Sequence, residues 1–172
     1  MTKKKVKLST KLARAGLKPK IKWPNDVMLG DKKVSGILTE LHAELDQVKY
    51  AIIGIGIDVQ QSLSDFSSEL RHTATSLKIE SGQNIGLPSL ATSLLIELDN
   101  DYARIQNHDF DKLAEEWERH CKTIGRLVTI EIGPRIIRGR AEALDPNGAL
   151  LIRTEHGRLE PITGGDVRIV SH

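Results

Sequence analysis

The feature that most constrains this chain is the alternation in residues 51–59, which read AIIGIGIDV. Isoleucine or valine stands at every second position from 53 to 59, and Gly54, Gly56 and Asp58 stand between them. Because side chains alternate across a strand, this pattern predicts one apolar face and one face of bare backbone ending in a carboxylate. Such a bare face suits either a bound ligand or a helix that packs closely against the sheet.

The flanking residues predict a β-hairpin built on this strand. Residues 33–44 and 48–59 are β-rich runs separated by a short polar turn near residues 45–47. A short strand is predicted at Lys20–Trp23, between Pro19 and Pro24, and a turn at Gly30-Asp31. Residues 60–71 are polar and rich in serine, which is typical of a loop.

Three helices are predicted from periodicity and stop signals. A short helix is expected at residues 9–15, with Gly16 as its stop. A second helix begins near Pro88, and a third follows it. Both carry apolar stripes at helical spacing that we interpret as core, namely Leu90, Leu94, Leu95, Leu98, Tyr102 and Ile105 in one and Phe110, Leu113, Ala114, Trp117 and Cys121 in the other.

After Gly125 the chain changes to short apolar runs separated by turn residues. This texture predicts a small, closed or half-closed β-barrel. The sequence therefore divides into residues 1–125, an α+β domain with strands followed by helices, and residues 126–172, a small all-β domain. The five predicted strands are Leu127–Ile132, Ile136–Ala143, Ala149–Arg153, Leu159–Ile162 and Val167–Val170.

Composition excludes several classes of protein. The 25 basic and 23 acidic residues leave a net charge of +2, which is too balanced for DNA to be expected as the main partner. Cys121 is the single cysteine, so an intrachain disulfide is impossible. No apolar run reaches the ~18 residues of a membrane span, and the start lacks the apolar core of a signal peptide. A cytoplasmic location is therefore expected.

Polar residues that suit an anionic ligand cluster near the hairpin. Asn25 and Asp26 offer oxygen atoms of the kind that Mg²⁺ prefers. Lys22 and Lys33 offer compact positive charges for phosphate or carboxylate oxygens. Turn chemistry after Pro24 and solvated lysines explain the same residues without a ligand.

Three segments together resemble the catalytic domain of the biotin protein ligase family, the biotin–[carboxyl carrier protein] ligases. They are IKWPNDVML, KKVSGILTEL and AIIGIGIDV, which occur in the order found in that family. The weaker TATSL at Thr73–Leu77 and the residues from 125 to the end also fit. The similarity runs from about residue 20 to the end of the sequence.

The resemblance implies a class II synthetase-type catalytic domain, an α+β fold with a mixed sheet flanked by helices, followed by a small all-β Src-homology-type barrel. It also implies a two-step reaction, in which ATP and Mg²⁺ activate biotin as biotinyl-adenylate and a lysine of a biotin carboxyl carrier domain then accepts the biotinyl group. Another acyl-adenylate or lipoyl transferase is an alternative, although the Trp-Pro-Asn-Asp segment favours biotin. A homodimer is an open question.

Roles for individual residues are implied by the same resemblance. Lys33 is expected to bridge the biotin carboxylate and the α-phosphate, with Lys22 as a second catalytic candidate. Asn25, Asp26 and Asp58 are expected at the nucleotide, with Asp26 as the candidate Mg²⁺ ligand. The biotin site is expected to consist of Lys33, Gly36, Leu38, Gly54 and Ile57. Strict alternation, however, would place Lys33 and Gly36 on opposite faces of their strand.

The sequence departs from the family pattern in two ways. Asp58 stands where the family usually has asparagine, which adds a negative charge near the triphosphate. No Gly-Arg-rich run precedes Lys20, and no DNA-binding winged helix is found. We therefore expect a truncated ligase with impaired activity. The alternative is a non-catalytic protein that binds biotin, a nucleotide or a carrier domain.

Overall fold

The computed structural model describes residues 16–44 and 47–170. The described residues form nine β-strands, three α-helices and two short 3₁₀ turns. The predicted helix at residues 9–15 and part of the predicted hairpin turn, residues 45–46, lie outside this range. The strands are β1 Pro19–Lys22, β2 Asp26–Leu29, β3 Lys32–Glu44, β4 Gln47–Ile57, β5 Leu127–Ile132, β6 Arg135–Leu144, β7 Leu150–Thr154, β8 Leu159–Ile162 and β9 Asp166–Ile169; the helices are α1 Leu77–Ser81, α2 Leu87–Gln106 and α3 Phe110–His120.

The described residues divide into two compact units. One contains residues 16–19 and 25–95, and the other contains residues 20–24 and 96–170. The predicted domain boundary at residue 125 stays a prediction. The C-terminal part of α2 and all of α3 belong to the same unit as the last five strands.

The first unit is built on an antiparallel arrangement of β2, β3 and β4. The predicted hairpin is confirmed, because β3 and β4 pair from Ser35 opposite Ile57 to Glu44 opposite Gln47. Its core lies on one side of the sheet and consists of Leu17, Leu29, Val34, Val59, Leu77 and Leu90. Away from this core the hairpin is exposed, and Leu38, Leu41, Tyr50, Ile52 and Ile53 are each more than half exposed.

The second unit contains a five-stranded antiparallel sheet in the order β8-β7-β6-β5-β9. The five predicted strands are all present within two residues of their expected ends, because each is bounded by turn residues that the sequence shows. The alternating inward residues fill one core, of which Ile130, Leu150 and Ile152 are fully buried. The expectation of an α+β fold followed by a C-terminal all-β part is confirmed.

Trp23 belongs to the core of this second unit. Its side chain is 3% exposed. Its backbone N–H donates to Oγ1 of Thr123 at 3.0 Å, and its indole N–H donates to the carbonyl of Gly148 at 3.3 Å. Thr123 is itself fully buried. Trp23 therefore contributes to the stability of the second unit.

The two helices predicted from about residue 88 onward form as α2 and α3, whereas α1 was not predicted from the sequence. Most of the predicted core stripe on α2 is exposed. Leu90 is buried, whereas Leu95, Tyr102 and Ile105 are about half exposed or more. An amphipathic pattern predicts an apolar face and does not determine what covers it. On α3, Trp117 packs against the core of the second unit, as does Cys121, which follows the helix. No helix in the described residues is long and apolar enough to span a membrane.

Candidate functional site

The open face of the hairpin carries a row of glycines. Gly36 lies opposite Gly56, and Gly54 lies opposite Leu38, so the three glycines share the face that points away from the core. We call Gly36, Gly54 and Gly56 the glycine floor. A Cβ atom on Gly54 or Gly56 would meet no atom of the described residues closer than 3.7 Å. Close packing within the described part of the first unit therefore does not account for these two glycines.

A β-bulge brings Lys33 onto the same face as the glycine floor. Along β3, Ser35 lies opposite Val27, but Lys33 lies opposite Met28, so Val34 is an extra residue between two consecutive pairs. The bulge shifts the alternation by one position. Lys33 and Gly36 therefore lie on the same face, although strict alternation along the sequence would separate them. The sequence alone does not show where the bulge occurs.

The Lys33 side chain lies over Gly36 and pairs with Asp26. Its Nζ lies 2.5 Å from Oδ1 of Asp26, and Asp26 itself lies opposite Gly36 in the sheet. A Cβ atom on Gly36 would be 3.0 Å from both Cε and Nζ of Lys33. The ion pair with Asp26 holds the Lys33 ammonium group in place. Because the Lys33 side chain is 47% exposed, this group remains accessible to a ligand.

The backbone of Lys33 is fixed by the segment that contains the TATSL sequence. The Lys33 N–H donates to the carbonyl of Thr73 at 2.8 Å, and the Thr75 N–H donates to the carbonyl of Lys33 at 2.9 Å. Thr75 and Ser76 are fully buried, and Ser76 caps α1 through the N–H of Ile79. Sequence reasoning identified TATSL only by resemblance, and its contact with Lys33 depends on the tertiary structure.

Asp58 follows the end of β4 and is fixed by its backbone. Its N–H donates to the carbonyl of Val34 at 2.9 Å, and its carbonyl accepts from the N–H of Leu77 at 2.9 Å. Ile57 packs against the core on one face, so alternation directs Asp58 to the face of the glycine floor. Burial raises the pKa of the Asp58 carboxyl above its ordinary value, and the Lys33 ammonium partly opposes that rise.

Asn25 makes a local structural contact. Its side-chain amide donates to the carbonyl of Ile37 at 2.7 Å, and the Ile37 N–H donates to the Asn25 carbonyl at 3.0 Å. These two hydrogen bonds join the turn before β2 to β3. The predicted nucleotide contact of Asn25 would use the remaining exposed surface of its side chain.

The other predicted site residues are divided between the two faces and the two units. Leu38 shares the face of the glycine floor and is 62% exposed. Ile57 does not, because its side chain packs against the core, so a biotin contact of Ile57 would involve its backbone. The biotin contact of Ile57 stays a prediction. Lys22 lies in β1 and belongs to the second unit, and its catalytic role remains a prediction.

The described residues contain no group of three or more His, Cys, Asp or Glu side chains that could hold a metal ion. Mg²⁺ bound with a nucleotide needs only one or two carboxylates together with phosphate oxygens. Asp26 therefore fits the expected role, with Lys33 as its present partner. Two open grooves, of about 490 and 460 Å³, lie beside Arg138 and beside Gln61, and neither is lined by Lys33.

Comparison with known proteins is consistent with this arrangement. Residues 5–58 match the biotin/lipoate A/B protein ligase family, and residues 123–169 match the biotin protein ligase C-terminal domain. The fold and these family matches define an α+β ligase-type protein with an all-β C-terminal part. The chain belongs to the biotin protein ligase family.

Individual relatives show the extent of the similarity. The bifunctional ligase/repressor BirA of Bacillus spizizenii is 36% identical over 157 residues, which cover 91% of this chain and 48% of that protein. The apo biotin protein ligase of Aquifex aeolicus is 26% identical with a TM-score of 0.80, covering 98% of this chain and 73% of that one. The same ligase in complex with biotin and ATP has a TM-score of 0.75 at 26% identity, covering 98% and 71%. The chain spans about half the length of the curated relatives it matches.

Proposed function

We propose that this chain is the part of a biotin–[carboxyl carrier protein] ligase that supplies Lys33 and the glycine floor for activation of biotin. The observation that carries the proposal is the ammonium group of Lys33, held by Asp26 above Gly36 on an open face. Family membership and the Aquifex aeolicus ligase in complex with biotin and ATP support the choice of substrates.

In the first step, a carboxylate oxygen of biotin attacks the α-phosphorus of ATP, and the bond from that phosphorus to the pyrophosphate oxygen breaks. The step brings two anions together. They repel each other by about 4 kcal/mol at a separation of 4 Å and an effective dielectric constant of 20. The Lys33 ammonium offsets this repulsion, and because its backbone and side chain are already fixed, little reorganisation is needed.

In the second step, a lysine amine of the carrier domain attacks the acyl carbon of biotinyl-adenylate. The amide bond forms, the bond from the acyl carbon to the phosphate oxygen breaks, AMP leaves, and the amine loses a proton. Bare backbone at Gly54 and Gly56 would let the bicyclic ring of biotin lie against the sheet, with Leu38 as an apolar neighbour. Mg²⁺, held in part by Asp26, would neutralise charge on the phosphates.

The polypeptide of residues 1–172 is expected to activate biotin weakly and to transfer it poorly. The glycine floor is open to solvent in the described residues, where Gly54 and Gly56 are exposed. Water would therefore reach the acyl-adenylate. The partner in transfer is expected to be a biotin carboxyl carrier domain.

The test is to incubate the purified chain with radiolabelled biotin and MgATP, and to measure pyrophosphate release, acyl-adenylate and labelled carrier domain separately. Biotin-dependent pyrophosphate release that Lys33→Ala abolishes would support the proposal. Binding of biotin and ATP without any pyrophosphate release would instead indicate a non-catalytic binding protein. If the chain binds neither biotin nor ATP, the proposed function is wrong.

A further inference from the structure

Two carboxylates share the end of the glycine floor with one ammonium group. Asp26 lies opposite Gly36, Gly36 lies opposite Gly56, and Asp58 is two residues beyond Gly56 on the same face. Lys33 lies above Gly36 and is paired with Asp26. The charge of Lys33 is therefore already balanced by Asp26, and Asp58 adds a further negative charge to this end of the floor.

Two backbone hydrogen bonds fix Asp58 in this position. Val34 accepts its N–H, and Leu77 donates to its carbonyl. Val34 is the bulge residue of β3 and is 2% exposed, so the anchor belongs to the core. Asp58 is half-buried, which limits the screening of its charge by salt. Burial raises the pKa of its carboxyl, and the nearby Lys33 ammonium opposes that rise.

We propose that Asp58 selects ligands by their charge, so that the glycine floor favours singly charged ligands and disfavours multiply charged phosphates that lack a divalent cation. The inference rests on the proposed function, because it concerns the same site. Biotin and its acyl-adenylate carry one negative charge near Lys33, whereas free ATP and pyrophosphate carry several. Each charge of the ligand is repelled by Asp58, so the effect grows with ligand charge.

Charge selection at this position has a consequence for the reaction cycle. Pyrophosphate is the most highly charged product, and its repulsion from Asp58 favours its departure while the acyl-adenylate stays. ATP enters as its Mg²⁺ complex, which carries less charge. A neutral side chain at position 58 would instead let free ATP and pyrophosphate compete with the productive complex.

The experiment compares the unaltered chain with Asp58→Asn, which removes the charge and keeps the size of the side chain. Dissociation constants are measured by calorimetry for biotin, for its neutral amide, and for AMP, ADP and ATP, without and with Mg²⁺. The negative charge of the nucleotides rises by about one with each added phosphate. Glu40→Gln is the matched control, because Glu40 lies on the same face about 13 Å along the strand from Gly36, beyond one Debye length.

The expected result is a graded gain in affinity in Asp58→Asn. Free ATP should bind at least ~10-fold more tightly, AMP and biotin less than ~3-fold, and the biotin amide with no change, because only charged ligands experience the removed carboxylate. Mg²⁺ should reduce the gain for ATP, because the Mg²⁺ complex carries less charge than free ATP. Glu40→Gln should bind every ligand within twofold of the unaltered chain.

Two results would overturn the inference while leaving the proposed function intact. One is an equal change for the amide, biotin and ATP, which would indicate that Asp58 acts through the structure of the site. The other is unchanged or weaker ATP binding in Asp58→Asn. Asp58→Ser, also neutral, should reproduce the gradient, and its thermal unfolding shows whether the fold is retained. Failure of both biotin and MgATP to bind the unaltered chain would count against the proposed function itself.

Discussion

Lys33 and Asp26 form an ion pair, with Nζ and Oδ1 2.5 Å apart, across two neighbouring strands. The pair exists because a β-bulge at Val34 turns Lys33 to the face that Asp26 and Gly36 share. An ammonium group fixed in this way, yet half exposed, is suited to stabilise charge on a ligand that lies on the glycine floor.

Lys33→Ala is expected to lower adenylate formation by at least ~100-fold, the scale of losing one preorganised charge-stabilising group. Biotin-dependent pyrophosphate release is the measurement. Lys32→Ala is the matched control, because the neighbouring Lys32 donates to the carbonyl of Arg71 and does not pair with Asp26. A near-normal rate in Lys33→Ala would show that another group stabilises the transition state.

Asp26→Ala is expected to weaken the MgATP-dependent step more than biotin binding. The substitution removes the candidate ligand for Mg²⁺ and also releases the Lys33 side chain from its partner. The Michaelis constants for ATP and biotin, measured at several Mg²⁺ concentrations, separate the two effects. Equal losses for both substrates, with no change in the Mg²⁺ dependence, would indicate that Asp26 only maintains the turn before β2.

Gly36→Ala is expected to reduce turnover about 10- to 100-fold, because displacing a catalytic group by ~1 Å costs on this scale. The new Cβ atom would lie 3.0 Å from Cε and Nζ of Lys33 and would push this flexible side chain aside. Thermal unfolding should change little. Wild-type turnover in Gly36→Ala would mean that the position of Lys33 over Gly36 is not needed.

Gly54→Ala tests whether the glycine floor contacts biotin. Its Cβ would meet no atom of the described residues closer than 3.7 Å, the distance to the carbonyl of Leu38, so the fold should be unaffected. The methyl group would nevertheless occupy the space above the floor and should weaken biotin binding at least ~10-fold, the scale of a poorly fitting methyl in a pocket. Unchanged biotin affinity would place the ligand elsewhere.

Trp23→Ala is expected to destabilise the second unit by ~3–5 kcal/mol, the usual cost of truncating a buried tryptophan. The side chain is 3% exposed, and its indole N–H donates to Gly148. Denaturant unfolding measures the loss. Trp117→Ala is the comparison, because Trp117 is only partly buried against the same core and should cost less. A loss of activity without any loss of stability would contradict the structural role of Trp23.

The sequence by itself determined the strands of the second unit and the hairpin of the first. Both depend on local signals: alternation with a period of two, and glycine, proline, asparagine or aspartate at the turns. The open glycine face of β4 and the face on which Asp58 lies also follow from alternation, because residues 51–59 alternate regularly along and just beyond one strand.

Only the tertiary structure decided which residues meet across strands. Alternation along β3 separates Lys33 from Gly36, and the bulge that unites them depends on how β2 and β3 pair. The support of Lys33 by Thr73 and Thr75 likewise joins residues about forty positions apart. The position of Ile57 in the core and the exposure of the α2 stripe have the same origin: a local pattern defines an apolar face, and long-range packing decides what that face contacts.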